Sequence, residues 1–176
     1  VLCCTHKGGM ALLERPVAEV ERLIQAYSGA LSIEAVNTAS STVVSGEADA
    51  IAALVSDLAN TSVFCRRIEV DYASHSPHVS DLLPALQAEL AGLMPREARL
   101  RFYSSLLGGP VKGHELDGRY WCRNLREPVR FDRALASLLA EGHGVFIETS
   151  PHPILALALT GASTDALVLG SLRRGE

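Results

Sequence analysis

The first 72 residues carry the strongest constraint on the fold: two stretches with helical hydrophobic spacing, each enclosed by runs with strand-like spacing. Gly9 to Glu14 suits a short strand, and Pro16 suits the first turn of a helix. Val17, Val20, Leu23, Ile24 and Tyr27 then recur on one helical face, which predicts an amphipathic helix over 16–28, stopped by Gly29. Leu31, Ile33 and Ala35 alternate with Ser32 and Glu34, the pattern of a half-buried strand. Asn37 to Ser40 is turn material, and Thr42 to Ser45 is a β-branched second strand ended by Gly46. Ile51, Leu54, Val55 and Leu58 mark a helix over 47–59. Ser62 to Tyr72 reads as one long strand, and its apolar parity slips between Cys65 and Ile68, which predicts a β-bulge there. The order is βαββαβ, the ferredoxin-like split-βαβ arrangement. It makes residues 1–72 a small α+β subdomain with its entry loop.

From residue 73 onward the pattern changes. Val79, Leu82, Leu83, Leu86, Leu90 and Leu93 mark a long helix that Pro84 must kink or restart, because proline lacks the backbone donor. A strand at Leu100–Leu106, a turn at Gly108-Gly109-Pro110 and a short helix at Asp117–Leu125 follow. A helix at Phe131–Ala140 ends at Gly142, and a short strand spans Val145–Glu148. After the stiff Ser150-Pro151-His152-Pro153 loop come a helical turn, Ile154–Leu159, and a last strand, Ala166–Leu169. This αβαβ alternation predicts part of a parallel sheet with covering helices, so the class is α/β. The strands are too few for a complete domain, and the chain starts at Val1; the expectation is a fragment.

Several function classes are disfavoured. Net charge is −4, and no basic stripe with interleaved aromatics is present, so nucleic acid is not an expected partner. The apolar runs are too short for a membrane span, and Val1 to Met10 lacks the apolar stretch of a secretory signal. Cys3, Cys4, Cys65 and Cys122 form neither a CxxC pair nor a disulfide ladder, which fits a reducing, cytoplasmic setting.

Among residues able to do chemistry, His75 stands out by position. Ser76 is a natural N-cap and Pro77 a natural first helical residue, so His75 falls just ahead of a helix N-terminus. Partial positive charge there favours a neutral ring, the form a general base needs. The competing reading is one of six histidines that merely sits in a turn. His75 and His78 are spaced to share a face, but no carboxylate or thiol with ligand spacing joins them, and no metal site is expected. His152 lines either a pocket or a stiff surface loop; His6, His114 and His143 read as solvated. No nucleophile accompanies the base. The G-x-S-x-G turn is missing, Ser163 lacks its second glycine, and Cys65 and Cys122 read as packing residues. No phosphate-binding loop is present.

Five motifs in order do point to a family. They are Gly8-Gly9-Met10; Ala35-Val36-Asn37 with Ser40 to Gly46; Val70-Asp71-Tyr72-Ala73-Ser74-His75-Ser76; Tyr120-Trp121 with Arg123 to Arg126 and Pro128 to Phe131; and Glu148 to Pro153. Together they resemble the acyltransferase domain of modular type I polyketide synthases, C-terminal part. The resemblance implies a ferredoxin-like subdomain followed, over 73–176, by part of the large α/β-hydrolase-like acyltransferase subdomain. It implies that His75 deprotonates an active serine, which attacks an acyl-CoA thioester and passes the acyl group to the phosphopantetheine thiol of an acyl carrier protein. The Asn124 backbone carbonyl is then the group that orients the ring, and Asn37 and the loop around His152 lie near the same cleft. In similar domains Tyr72-Ala73-Ser74 goes with methylmalonyl-CoA, because serine at position 74 leaves room for the α-methyl. The resemblance implies no bound cofactor or metal, and neighbouring ketosynthase and linker domains as partners in a multifunctional enzyme of secondary metabolism. The family's G-H-S-x-G serine and its carboxylate-clamping arginine belong upstream of the Gly8-Gly9-Met10 loop, so the 176 residues alone are expected to be inactive. Two other readings stay open: a non-catalytic docking module for carrier protein, and a small-molecule regulatory domain of ferredoxin-like type.

Overall fold

The structure, a computed structural model, describes residues 8–175; Cys3, Cys4 and His6 lie outside them. The chain runs β1 (Gly8–Leu13), α1 (Val17–Ile24), β2 (Leu31–Thr38), β3 (Ser41–Glu47), α2 (Ala48–Leu58) and β4 (Cys65–Ile68). Next come a 3₁₀ turn at Pro77–Leu82, α3 (Leu83–Glu89), β5 (Phe102–Ser104), β6 (Gly109–Val111), α4 (Gly118–Arg126) and β7 (Val129–Arg130). The last elements are α5 (Phe131–Ala140), β8 (Val145–Glu148), α6 (Ala156–Ala162) and β9 (Leu167–Gly170).

The first four strands form an antiparallel sheet in the order β4-β1-β3-β2, and β7 adds to its β2 edge in parallel. Strand periodicity then builds two cores. Ala11 and Leu13 of β1, Leu31 and Val44 face α1 and α2, where Val20, Ile51, Leu54 and Leu58 are buried against them. Met10, Ala35 and Val43 face the opposite side, with Leu12, Ile68 and Val129 packed around them. Each large aliphatic side chain buried this way contributes about 1.5–3 kcal/mol.

The bulges lie in β2, not in β4. Ile33 pairs with Val44 but Ala35 with Val43, and Val36 pairs with Thr42 but Thr38 with Ser41. Glu34 and Asn37 are therefore extra residues with no partner of their own in the β2–β3 register. The first bulge flips the strand's parity: Leu31 and Ile33 face the helices, whereas Ala35 faces away. In contrast, β4 pairs with β1 in unbroken register from Leu13↔Cys65 to Met10↔Ile68. The predicted long strand is short because the Val70 amide turns back onto the Ile68 carbonyl. Two turns also differ from expectation. The β2–β3 turn is only Ala39-Ser40, and Gly109-Pro110 pair as β6, with Gly108 in the left-handed region (φ 73°) closing the hairpin. Pro84 restarts the helix, in the first turn of α3.

Beyond the sheet, α5 packs against β2 and β6, and β8, α6 and β9 form a parallel βαβ unit. Its paired residues Val145↔Leu167 and Ile147↔Leu169 stay 61%, 53%, 64% and 46% exposed. Parallel strands are normally covered on both faces, and two strands alone are marginal. The 176-residue chain in isolation is therefore expected to self-associate through this face. Sedimentation velocity checks this: Val145→Lys with Ile147→Lys shifts the chain toward monomer, whereas a sharply monomeric wild type contradicts it. Among the described residues, no helix is long and apolar enough to cross a membrane.

Candidate active site

The segment after β4 is drawn tightly over the sheet face opposite the helices. The Gly8 amide donates to the Asp71 carbonyl (3.1 Å), and a Cβ on Gly8 would meet the backbone of Tyr72 and Ala73. Only glycine admits so close an approach. Ser45 of β3 donates its hydroxyl to the Ser74 carbonyl (2.9 Å), and Ala73 is buried. Ser76, fully buried, donates its hydroxyl to the Ala73 carbonyl (2.8 Å) and accepts from the His78 amide (3.2 Å), so it is the N-cap its sequence position predicts.

His75 sits on this corner with φ 51°, a left-handed conformation that a residue with a Cβ adopts only at some cost. Two contacts hold it. Its amide donates to the Leu125 carbonyl (3.1 Å), one of the last-turn carbonyls of α4 that a helix leaves without an internal donor. Its ring Nδ1 lies 2.9 Å from the Glu127 carbonyl oxygen. A carbonyl only accepts, so Nδ1 carries the hydrogen, and in the neutral ring Nε2 is bare. The side chain is 18% exposed.

The carbonyl that orients the ring belongs to Glu127, which corrects the expectation for Asn124. Asn124 is still inside α4, whereas Glu127 is the C-cap residue, in extended backbone where its carbonyl is no longer aligned with the helix. Arg123 fixes Glu127 through two contacts of 2.6 and 3.1 Å and holds its carboxyl below the usual range.

On the other side of the ring stands Glu34, the bulged residue of β2, with its Oε1 4.0 Å from Nε2 and 3.5 Å from the Ser74 hydroxyl. Burial pushes its carboxyl above the usual range; the His75 charge and the Ser74 hydroxyl act in the opposite direction. Sequence reading missed both glutamates. Glu34 sat on the polar side of a simple alternation, and Glu127 acts through its backbone, which has no residue signature.

The remaining candidates are dispersed. Tyr72 is 45% exposed at the lip of the corner. Asn37, the second bulged residue, borders a cleft between the β2–β3 turn, α5 and α6, with Leu135 and Leu157 in its walls. His152 is exposed, on a loop closed by Glu148, whose carboxylate accepts from the amides of Ile154 (2.8 Å) and Leu155 (3.0 Å). Among the described residues, no hydrogen bond or ion pair joins Asn37 or His152 to His75. Ser163 follows α6 in extended backbone, away from any strand-to-helix corner. Burial pushes the Cys65 thiol up, away from the nucleophilic thiolate, and Cys122 is buried. No group of three or more His, Cys, Asp or Glu among the described residues is placed to hold a metal ion.

Comparison with known proteins adds an independent line. A family model described as an acyl transferase domain matches residues 2–176. Over 174 residues the chain is 46% identical to the spectinabilin polyketide synthase system protein NorA' of Streptomyces orinoci, covering 97% of this chain and 5% of that protein. It is 40% identical over 168 residues to erythronolide synthase EryA3 of Saccharopolyspora erythraea, covering 96% of this chain and 5% of that one. The acyltransferase domain from module 8 of the salinomycin polyketide synthase aligns with a TM-score of 0.91 at 40% identity, covering 97% of this chain and 41% of that one. A loading acyltransferase from the avermectin modular polyketide synthase aligns with a TM-score of 0.92 at 36% identity, covering 98% of this chain and 56% of that one. The chain thus spans a small part of the synthases it matches.

Proposed function

The chain belongs to the acyl transferase domain family, in the form found in polyketide synthases, and on that premise we propose that His75 is the general base of acyl transfer from CoA to a carrier-protein thiol. The observation that carries the reading is the pinned ring: Nδ1 is committed to the Glu127 carbonyl, which leaves Nε2 as the atom free to take a proton. The nucleophile is a serine hydroxyl contributed by polypeptide outside these residues. Its proton passes to Nε2 while its oxygen bonds to the thioester carbon of acyl-CoA. The tetrahedral adduct collapses, the carbon–sulfur bond breaks, and the CoA sulfur leaves with the proton from Nε2. The phosphopantetheine thiol of an acyl carrier protein then attacks the acyl-serine; His75 takes the thiol proton and returns it to the serine oxygen.

The same reading assigns substrate contacts. Tyr72, Ala73 and Ser74 form the wall beside the base, and the small Ser74 favours an α-methyl, hence methylmalonyl-CoA. Asn37 and the His152 loop belong to the substrate region in this reading, with Asn124 in the helix that presents the ring-orienting carbonyl. The division into subdomains at residues 72 and 73 is part of it too; the complete β4-β1-β3-β2 order favours that boundary, with β7 lent across it. The apolar β8–β9 face suits the rest of a larger parallel sheet, and ketosynthase and linker domains are the expected neighbours.

The test uses the acyltransferase domain of the parent synthase. Incubated with methylmalonyl-CoA and its carrier protein, it should load the carrier through a serine-bound acyl intermediate seen by mass spectrometry. A domain that binds carrier protein but never becomes acylated would support the docking reading instead. Replacing Tyr72 by His and Ser74 by Phe together should move the preference toward malonyl-CoA by about 10- to 200-fold in kcat/KM, the range one methyl group commands. An unchanged ratio removes the specificity assignment.

A further inference from the structure

We propose that Glu34 is a positioning residue for the base, its carboxylate stabilising the imidazolium that forms when His75 Nε2 takes the nucleophile's proton. The inference rests on the reading of His75 given above. Three observations carry it. The carboxylate faces Nε2, not Nδ1, at 4.0 Å. That is too long for a hydrogen bond to a neutral ring, yet close enough to pair with a charged one. Glu34 is also the unpaired residue of a β-bulge, a device that re-aims one side chain out of the regular alternation. Finally, the glutamate is mostly covered, with 14% of its side chain exposed, and burial opposes its charged form.

That last point follows from its ionisation. Burial holds the carboxyl above the usual range, so at intermediate pH the folded state binds more protons than the unfolded state. The resulting stability is fully present below the ordinary glutamate range and is lost as pH rises through the folded value. An ionised Glu34 at neutral pH is thus a cost to the fold. The groups that face it are the His75 ring and the Ser74 hydroxyl. Arg130, on the neighbouring β7, is committed to Asp132 by contacts of 3.0 and 2.7 Å and does not neutralise it. Ser74 therefore has two attachments: its carbonyl to Ser45, and its hydroxyl to the carboxylate that supports the base.

The experiment compares Glu34→Gln and Glu34→Asp with wild type in the acyltransferase domain of the parent synthase. Glu34→Gln is expected to slow acylation at saturating acyl-CoA by about 10- to 100-fold, between the water-screened and protein-screened limits for a charge pair at this distance, with KM little changed. It is expected at the same time to raise Tm at pH 7, a gain that disappears below the ordinary glutamate range. Glu34→Asp, which keeps the charge, should recover part of the rate. A purely structural residue gives the opposite pairing, less stability with activity lost in proportion. A Glu34→Gln domain that acylates at the wild-type rate overturns the proposal.

A second readout does not depend on turnover. With ¹³C-labelled glutamate, the Glu34 carboxyl should titrate above the ordinary range in wild type and move further up in His75→Gln, which lacks the ring charge that holds it down. An unmoved Glu34 midpoint overturns the coupling. A wild-type domain that takes up no acyl group would instead defeat the functional reading, with the carboxyl titration still deciding for or against the pair.

Discussion

Replacing His75 by Asn in the parent acyltransferase domain is expected to lower the rate of serine acylation by about 10²–10⁴-fold at temperatures where the variant remains folded. The range is that of a positioned general base. Asparagine is the informative substitute because the corner is left-handed at φ 51°, and asparagine tolerates that backbone better than other residues with a Cβ. The amide bond to Leu125 survives, since it comes from the backbone. What disappears is the ring: the Nδ1–H held by Glu127 and the bare Nε2. The loss should fall on kcat, and it should appear equally with either CoA ester, because it concerns the proton and not the acyl group. Rapid-quench measurement of acyl-enzyme formation checks it, and a variant within about threefold of wild type would remove His75 from the chemistry.

Gly8→Ala should damage the same reaction from the strand beneath the site. A single methyl there meets the backbone of Tyr72 and Ala73, which cannot rotate aside as a flexible side chain can. The amide bond from Gly8 to Asp71 holds the two segments at this spacing. One or the other must shift, at a cost of about 1–3 kcal/mol, or roughly 2–12 °C in Tm for a chain of this size. The shift is passed to Ser74 and His75 within two residues. Because misplacement by about 1 Å can cost some 10²-fold in rate, acylation should fall by about that factor even at temperatures where the variant is folded. Thermal unfolding and acylation measured on the same sample test this; a stable variant with the wild-type rate would show that the contact does not position the base.

The sheet was legible because each of its elements has its own period. The apolar spacing in α1 and α2 and the runs at β1 and β3 named the βαββαβ order directly. What the sequence concealed was parity. Leu31, Ile33 and Ala35 look like one face, but the extra residue Glu34 puts Ala35 on the other side. A bulge adds no hydrophobic signal, and the apparent slip at Cys65–Ile68 pointed to the wrong strand because the chain simply turns after Ile68.

The site was legible in a different way. Ser76-Pro77 placed His75 ahead of a helical turn on local grounds, and the capping bonds of Ser76 agree with that. The proposed role of His75 came from resemblance, since spacing alone left a base without a partner. The partners that the structure supplies, the Glu127 carbonyl and the Glu34 carboxylate, lie 52 and 41 residues away in sequence. One acts through its backbone and the other from a bulge, so neither leaves a pattern along the chain. Glu148 is a parallel case: it reads as the end of a strand but closes the His152 loop by accepting two amides.

The central claim is that the ring of His75 is fixed in one tautomer with Nε2 open. Nitrogen-15 NMR of the imidazole in the acyltransferase domain, at a pH where the ring is neutral, reads this directly. The account predicts a single Nδ1–H form with an unprotonated Nε2, and loss of that order when Pro128 is moved by insertion of one residue after Glu127. A ring protonated at Nε2, or one exchanging freely between both forms in the intact domain, would contradict it.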